Sequence, residues 1–424
     1  MGRADQQRNG ENVRLREFAA SLRPAFEAAG LSFGRRLLLA AVSLAVAAAF
    51  WLPALYFFFR PRVTDYRTSG SISPKARALA ASQMHLWTDR AQRDQEILKM
   101  RASNAEWDFM GRTYLVLALA NMALREPAEQ ATYLDVMDRI IADTTRLEKE
   151  HGFTFFLMDY GRARPFVEKP PRSLFTDGEI TMMMAVRCLV REKPEYKPLM
   201  QERVEVMEKY MRRGDVLCAE SYPDECWMFC NTVALATMRM ADALDGSDHR
   251  AFCKEWVASA KRRLVEKKTG LLVSSFSLSG EVFDGPEGSS IWMAAHCLQL
   301  VDEEFARDQY VRGKKELSRR LLGFGYAREW PVSYVGPHDI DSGPVVPGLG
   351  ASPSSSGLAV MAAAAFGDTD YFASLCSSLN LGAFPVERNG TLKFCASNQV
   401  GEAVLLYAMV LGPAWEKVKR MNSQ

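Results

Sequence analysis

The sequence lacks the charge imbalance that attracts nucleic acids and other polyanions. Its 424 residues carry 53 basic and 51 acidic side chains, for a net charge of +2, and no basic stripe alternates with aromatic residues. Because nucleic-acid binding depends on a clustered positive field, we expect no nucleic-acid partner. With 48% apolar and 25% charged residues, most of the chain is predicted to fold around a large core.

Several common motifs of enzymes and metalloproteins are also missing. The chain has no P-loop, no GxGxxG after a strand, no GxSxG, no HExxH and no pair of CxxC motifs. We therefore expect no cofactor and no metal. The eight cysteines do not have the spacing of a disulfide scaffold. One close pairing stays open, between Cys226 and either Cys230 or Cys218.

Residues 37–59 form an uncharged apolar run of 23 residues, with Arg35 and Arg36 before it and Arg60 and Arg62 after it. At a rise of about 1.5 Å per residue, a helix of this length spans a hydrocarbon core of roughly 30 Å. A cleaved signal peptide has a shorter apolar core nearer the start of the chain. The run therefore predicts a single-pass membrane protein, with the lipid bilayer as a partner.

This run divides the chain into four predicted parts. Residues 1–36 are a polar tail, residues 37–59 the transmembrane helix, residues 60–76 a linker rich in Pro, Ser and Gly, and residues 77–424 the soluble domain. The tail contains seven arginines and four acids. Because basic flanks favour the cytoplasmic side, the soluble domain is predicted to be periplasmic or otherwise extracytoplasmic.

Apolar residues recur at helical spacing through almost all of the soluble domain, which predicts about a dozen helices, among them 77–98 and 303–322. Helices that are apolar all round, such as ITMMMAVRCLV (180–190), alternate with amphipathic ones, such as RAFCKEWVASAKRRLVEKK (250–268). The first kind must be buried, and the second kind covers it. About six such pairs predict an all-α fold, an (α/α)6 toroid, with short β-hairpins at 270–283 and 390–395.

Acidic residues stand at or just before the starts of the predicted inner helices. If these helices are parallel, the acids share one rim, and carboxylates held close together raise one another's pKa, so that one serves as acid and another as base. The alternative is that each acid caps a helix. A loop at 336–357, rich in Gly, Pro and Ser, is interpreted as an ordered flap over the mouth. The acids are Glu106, Asp108, Asp177, Glu179, Asp224, Glu225, Asp284, Glu287, Asp339, Asp341 and Glu402.

Residues 222–250, YPDECWMFCNTVALATMRMADALDGSDHR, resemble the segment of the linalool dehydratase/isomerase family that carries a catalytic cysteine. Cys230 matches that cysteine, and Asn231 follows it as in the family. The resemblance covers roughly residues 80–412. Family members are cofactor-free (α/α)6 proteins that dehydrate linalool to myrcene and isomerise it to geraniol. The resemblance therefore implies a hydro-lyase or isomerase, and a homo-oligomer as one option.

The sequence departs from the family at several site positions. Ser221 stands nine residues before Cys230, where the family has a second cysteine. Glu179 takes the position of the family's catalytic histidine, and Trp292 that of a pocket tyrosine, while Tyr114 keeps an aromatic hydroxyl on another inner helix. The resemblance thus implies that carboxylates replace Cys and His in the acid/base set, so linalool itself is not inferred as the substrate.

Three functions remain open. The first is a membrane-anchored, cofactor-free acid/base lyase or isomerase that acts on an isoprenoid-type or other hydrophobic alcohol. The second is a carbohydrate-active (α/α)6 enzyme (a glycoside hydrolase, lyase or epimerase) whose rim carboxylates and aromatic residues bind a sugar-like substrate. The third is a non-catalytic, membrane-tethered binding protein that keeps the fold.

For the first function, the predicted catalytic residues are Glu179, Asp224 or Glu225 as the proton donor and Cys230 or another carboxylate as the base. The alternative for Cys230 is a small buried filler, and His296 is interpreted as a satisfied core histidine. The predicted substrate-binding residues are Tyr114, Tyr222, Cys226, Glu287, Trp292, Asp339, Asp341 and Glu402.

Overall fold

The computed structural model describes residues 32–338 and 342–424, and the chain divides into two units between Phe58 and Phe59. From Phe33 onward, the first unit forms helix α1 (Phe33–Phe59), whose last residue belongs to the second unit. The helix contains Pro53 and begins four residues before the predicted span. With 27 residues, it is about 40 Å long. Within the described residues, it is the one helix long and apolar enough to cross a membrane.

Six buried helices of the second unit form a closed inner ring. They are α5 (Ala105–Arg125), α7 (Leu174–Val190), α9 (Met228–Asp245), α11 (Gly288–Leu298), α13 (Pro353–Ala365) and α15 (Gln399–Val410). Each contacts the next in chain order, and α15 contacts α5. In α9, every residue from Met228 to Asp242 is buried. The predicted (α/α)6 toroid is confirmed.

An outer layer of amphipathic helices covers this ring. It consists of α3 (Pro74–Thr88), α4 (Arg90–Ser103), α6 (Gln130–His151), α8 (Lys197–Met211), α10 (Arg250–Arg263), α12 (Glu303–Leu317) and α14 (Thr369–Gly382). Helix α6, for example, buries Tyr133, Met137, Ile140 and Thr144 along one stripe. Helix α3 packs on α15, so the start of the unit supplies the outer partner of the last inner helix.

The inner helices run parallel, so they begin at one end of the ring. Gly178, near the start of α7, packs against Val233 near the start of α9. Gly111 of α5 packs against Val400, the second residue of α15. The first residue of α11 likewise packs against the third residue of α13. The starts of these helices therefore share one rim, as the acid pattern requires.

Helix α16 (Pro413–Asn422) covers the opposite end of the ring. It contacts α5, α7 and α9. The backbone N–H of Ala414 donates to Asn121 Oδ1 (3.0 Å), and the Lys417 ammonium donates to the Leu189 carbonyl (2.6 Å). Because both partners lie near the C-terminal ends of their helices, α16 closes the C-terminal end of the ring. The sequence analysis does not predict this helix.

Seven short strands in the described residues form three small antiparallel sheets. In the two hairpins Ser318 pairs with Ala327 and Pro385 pairs with Phe394. The strands are β1 (Cys226–Trp227), β2 (Ser275–Phe276), β3 (Val282–Asp284), β4 (Ser318–Leu321), β5 (Phe324–Ala327), β6 (Pro385–Arg388) and β7 (Thr391–Phe394).

Two predicted helices have different bounds in the structure. The helix predicted over 303–322 ends at Leu317, because the following residues pair as the β4–β5 hairpin. The helix predicted over 77–98 is broken at Asp89, whose carboxylate accepts the N–H of Gln92 (3.2 Å) and caps α4.

Part of the segment 60–76, predicted as a linker, packs on the toroid. Helix α2 (Val63–Tyr66) ends in Tyr66, whose side chain is fully buried. The Arg67 guanidinium donates to the carbonyls of Ala408 (2.9 Å) and Leu411 (3.0 Å) at the end of α15. These bonds join the segment directly to the inner ring.

Replacing Arg112 with Met tests the buried charge network between the two layers. The Arg112 guanidinium donates to Asp108 of α5 and Asp143 of α6, both at 2.8 Å. Its loss leaves Asp108 and Asp143 only their more exposed partners, Arg101 and Arg146, and removes the buried cation between them, which is expected to cost about 3 kcal/mol. Denaturant unfolding of the detergent-solubilised full chain, followed by circular dichroism, measures this loss.

The matched control is Arg139→Met in α6. Arg139 pairs with Asp135, and both side chains are more than half exposed, so its loss is expected to cost about 0.5 kcal/mol or less. Equal losses in the two variants would contradict the assigned importance of the buried network.

Candidate active site

Glu179 lies on the axis of the inner ring. It belongs to α7, and its side chain is 2% exposed. Burial is the largest cause of the raised pKa of Cys297 on α11, and the charge of Glu179 raises this pKa further. The charge of Glu179 also raises the pKa of Cys230 on α9. Helices α7 and α11 are not neighbours in the ring, so a side chain of α7 that acts on α11 faces the axis. We call Glu179, Cys230, Cys297 and Tyr114 the axial cluster.

The Glu179 carboxyl is protonated over most of the acidic pH range and about half protonated near pH 7. Burial raises its pKa to about 7, although the Thr113 hydroxyl acts in the opposite direction. Its Oε2 has no hydrogen-bond partner among the described residues. A protonated carboxyl with an unused oxygen, held at the axis, is suited to donate a proton to a bound ligand.

Tyr114 and Met293 close the axis beneath Glu179. The Tyr114 hydroxyl donates to Met293 Sδ (3.4 Å) from α5 to α11, across the ring. Burial, and then the charge of Glu179, raise the pKa of Tyr114, so the phenol stays protonated. Farther along the axis, His296 Nε2 and the Tyr407 hydroxyl are 2.7 Å apart. Burial lowers the pKa of His296 to about 4, so His296 is a neutral core residue.

Cys230 lies near two carboxylates. Burial raises the pKa of its thiol well above the usual value, the Ser221 hydroxyl lowers it, and the charges of Glu106 and Glu179 raise it again. The thiol is therefore protonated at neutral pH and is a poor base. Ser221 Oγ is buried and makes no hydrogen bond of normal geometry to a described residue.

Glu106, at the start of α5, joins this group from the rim. The Tyr222 hydroxyl donates to Glu106 Oε1 and accepts the N–H of Met158 (2.8 Å), and the Tyr222 ring stacks on Tyr160 at 4.5 Å. Glu106 is among the rim acids of the sequence analysis but not among its site residues. It does not cap α5, because Asn104 Oδ1 accepts the N–H of Glu106 (2.8 Å) and supplies the cap.

Asp224 and Glu225 belong to a tight turn before α9. The N–H of Glu225 donates to the Tyr222 carbonyl (3.0 Å), and Asp224 has a φ of 57°. Proline at the second position and a positive φ at the third are typical of a type II turn. The N–H of Asp224 donates to Glu220 Oε1 (2.6 Å). The turn accounts for Asp224 without a catalytic role, and both predicted donors are half-buried.

Cys226 lies in a second acidic environment beside the axial cluster. Burial raises the pKa of its thiol, and Cys218, Glu220 and Glu168 add to the shift. Burial, and then the charge of Glu220, raise the pKa of Glu168 to about 7. The eight cysteines all lie in the described residues and are unpaired, so the pairing left open for Cys226 is not formed in this structure.

Trp292 is placed between the two layers of the toroid. Its Nε1 donates to Ser355 Oγ (3.1 Å), and its ring lies 6.1 Å from Tyr310 of α12 and 6.3 Å from Tyr371 of α14. Both tyrosines belong to outer helices. The structure therefore assigns Trp292 to packing, in place of the pocket role expected for it.

Glu402 is also directed away from the axis. Its Oε1 accepts the N–H of Phe394 (2.7 Å) in β7, and its Oε2 accepts Gln83 Nε2 (2.7 Å) of α3. Burial raises the pKa of Glu402. These two bonds join the start of α15 to its outer neighbours, which is a structural role in place of the substrate-binding role expected from the sequence.

Glu287 and Glu329 lie together at the start of α11. Glu287 is the N-cap residue of this helix, and its N–H donates to Ser274 Oγ (3.0 Å). Glu329 is buried, and its Oε1 accepts both the N–H (3.0 Å) and the hydroxyl (2.6 Å) of Ser289. Glu329 has no sequence signal, because it follows a hairpin that was not predicted.

The remaining rim acids have other outcomes. Asp177 forms ion pairs with Arg172 and Arg203, and therefore holds α7 to α8. Asp339 and Asp341 lie outside the described residues. In the part of the chain that the structure describes, no three His, Cys, Asp or Glu side chains are grouped to hold a metal ion.

Among solved structures, this chain is similar to a GH76 α-mannanase of Bacteroides thetaiotaomicron (10% identity, 73% of this chain and 87% of that one, TM-score 0.47). It is also similar to a family 105 glycoside hydrolase of C. acetobutylicum (12%, 78% and 99%, 0.44) and to an unsaturated glucuronyl hydrolase of Streptococcus agalactiae (10%, 70% and 80%, 0.44). These values are too low to bear on activity.

No curated protein matches the chain significantly. The sequence model of the family described as linalool dehydratase/isomerase matches residues 175–400, which include Glu179 and Cys230. The match covers more than half of the 424 residues, and the protein therefore belongs to the linalool dehydratase/isomerase family.

Proposed function

We propose that the protein is a cofactor-free acid/base lyase or isomerase that acts on a hydrophobic alcohol. The observation that carries this proposal is Glu179, a buried carboxyl with a pKa of about 7 and one oxygen without a partner among the described residues. It lies at the axis of a toroid of the linalool dehydratase/isomerase family. A proton donor of this kind is what the loss of a hydroxyl group requires.

The proposed reaction balances without a cofactor. The Glu179 carboxyl gives its proton to the hydroxyl oxygen of the substrate, and the C–O bond breaks with both electrons on the departing water. A base takes a proton from the neighbouring carbon, and the electrons of that C–H bond form the new double bond. In the isomerisation, the C–H bond stays intact: water adds to the other end of the allylic cation, and its extra proton returns to the Glu179 carboxylate.

Glu106 is the proposed base. Its Oε1 accepts a hydrogen bond from the Tyr222 hydroxyl, which fixes the position of the carboxyl group at the rim. The charge of Glu106 raises the pKa of the Cys230 thiol, as the charge of Glu179 does. Both acids are therefore near the same part of the ring. Cys230 itself is not the proposed base, because its pKa is raised. We propose that its thiol contacts the substrate between the two carboxylates.

The lining favours an apolar substrate. Tyr114, Met293 and Cys297 are fully or almost fully buried at the axis, and apolar side chains make up most of the inner helices. A hydrophobic alcohol gains by leaving water for such a site, while its one hydroxyl group meets Glu179.

We also propose that α1 anchors the protein in a membrane, with the soluble unit on the extracytoplasmic side. Its 27 residues include no acid, and none of its residues is buried. A hydrophobic substrate that partitions into lipid is then concentrated next to the enzyme.

A carbohydrate substrate is the second candidate, and one observation favours it. Tyr160, which is 44% exposed, stacks on Tyr222 beside Glu106 and leaves part of its surface free for a sugar ring to stack on. Turnover of oligosaccharides and not of terpene alcohols would select it. Turnover of neither class, in a folded chain, would select the non-catalytic binding protein.

Glu179→Gln and Glu106→Gln are expected to lower kcat for a terpene alcohol by about 10²–10⁴-fold each, because each removes one proton-transfer group. The control is Glu126→Gln, at the opposite end of α5 from Glu106, where Glu126 pairs with the half-exposed Arg77. Turnover is measured by gas chromatography of the alkene or isomer. Unchanged turnover in Glu179→Gln would remove the assigned proton donor.

The pH dependence of stability tests the state of Glu179 without a substrate. Its folded pKa of about 7 exceeds the unfolded value of 4.5, so its favourable contribution is complete below pH 4.5 and is lost as pH rises to 7. Between pH 4.5 and 8 the wild type should lose roughly 3 kcal/mol more unfolding free energy than Glu179→Gln. Denaturant unfolding at each pH measures the difference, and parallel curves would refute the raised pKa.

Membrane insertion is tested by alkaline carbonate extraction of the full chain from membranes. The wild type should stay in the membrane fraction, whereas Leu44→Arg with Val46→Arg should be extracted, because an arginine at the centre of a span costs about 2.5–3.5 kcal/mol. Leu199→Arg, at an exposed position of α8, is the control and should stay. Extraction of the wild type would exclude the anchor.

A further inference from the structure

Large apolar side chains are exposed around helix α14. Leu321 and Leu322, at the tip of the β4–β5 hairpin, are 50% and 41% exposed, and Phe384 and Val386, at the start of β6, are 63% and 37% exposed. We call these four residues the α14 apolar surface. Single exposed apolar residues are ordinary, but a group of them on short, hydrogen-bonded hairpins indicates an interaction surface.

The backbone at this surface is of a kind that bulky side chains rarely adopt. Leu322 and Gly323, the two central residues of the β4–β5 turn, have φ of 51° and 94°. Such turns usually contain Asn-Gly, and the β6–β7 hairpin has this pair, Asn389 and Gly390, with φ of 50° and 75°. Phe384 has a φ of 48°. Keeping Leu and Phe in this region costs on the order of 1–2 kcal/mol each, so we infer a partner that favours apolar side chains.

The position of Phe59 identifies this partner. Phe59 is the last residue of α1, and in the second unit its carbonyl accepts a hydrogen bond from Asn380 Nδ2 (2.9 Å). Asn380 lies near the end of α14. On the same helix, the Ser378 hydroxyl donates to the Gly325 carbonyl of β5 (2.6 Å). The final turns of α14 thus bond to Phe59 and to the β4–β5 hairpin within the second unit, and Phe384 follows two residues after the helix.

We propose that the α14 apolar surface inserts into the interfacial layer of the phospholipid bilayer. This proposal rests on the proposed membrane anchoring. Because the apolar run ends at Phe59, the bilayer surface begins there. Arg60 and Arg62, which follow the apolar run, are exposed, and so is Arg388 at the end of β6. Basic side chains beside inserted apolar ones favour anionic head groups.

This contact brings the candidate active site to the membrane. The Phe384 carbonyl accepts the N–H of Cys395 (3.2 Å), and Asn398, three residues later, caps α15. The α14 apolar surface is therefore joined to the end of the ring at which the inner helices begin. A substrate dissolved in the bilayer then reaches the rim without crossing bulk water.

The test uses the full chain in vesicles of phosphatidylcholine and phosphatidylglycerol. Cys395, the exposed cysteine, is replaced by Ser, and an NBD fluorophore is attached at Phe384→Cys or at Leu322→Cys. The matched control is Leu199→Cys, at a 44% exposed position of α8, which lies three helix pairs away from α14, on the opposite side of the ring. Nitroxide-labelled lipids in the vesicles quench a fluorophore that enters the bilayer.

Quenching at positions 384 and 322 should exceed quenching at position 199 at least twofold, and the difference should vanish when detergent dissolves the vesicles. Labelling at two separate positions, 384 and 322, ensures that local misfolding of one turn does not decide the result. If the chain floats with the vesicles and all three positions are quenched equally, insertion of the α14 apolar surface is refuted, while the proposed membrane anchor is retained. If the chain does not float with the vesicles, the anchor fails and this proposal fails with it.

Discussion

The closure of the inner ring by parallel helices is the constraint on which the rest of the structure depends. Contact between α15 and α5 makes six consecutive hairpins into one ring, and the parallel direction gives all six helix starts a common rim. Side chains from helices far apart in sequence can then meet at the axis, as Tyr114 and Met293 do. Because α16 covers the other end, the rim is the end from which the proposed substrate approaches the axis.

The fold could be predicted from the sequence, because buried and amphipathic helices differ in periodicity. The direction of individual side chains could not. A helix buried on every side has no apolar stripe, so nothing in its sequence tells the axial face from the outer face. Glu179 and Glu402 look alike as acids near the starts of inner helices, yet one faces the axis and the other bonds to β7 and α3. Trp292 was misplaced for the same reason.

Burial also bears on the proposed proton donor, Glu179, at the position where the resemblance implies a histidine. Loss of water disfavours the charged form of either side chain, so it lowers the pKa of a histidine and raises that of a glutamate. In this ring it lowers the pKa of His296 to about 4 and raises that of Glu179 to about 7. A dry position therefore makes histidine a neutral proton acceptor and glutamate a neutral proton donor, which is the role proposed for Glu179.

The acids near the rim differ in their partners. Those with a structural role bond to a cation or a backbone donor, whereas the proposed proton donor does not. Asp108 and Asp177 form ion pairs with arginines, which hold their carboxylates in contacts between helices and loops. The pKa of Glu179 is raised by burial and lowered by the Thr113 hydroxyl, and no arginine or lysine contributes to it. A dry, apolar site therefore serves two purposes at once: it keeps the donor protonated, and it favours an alcohol whose remaining surface is hydrocarbon. An entrance that faces lipid would preserve both conditions, because it admits that alcohol while limiting the water that would ionise Glu179.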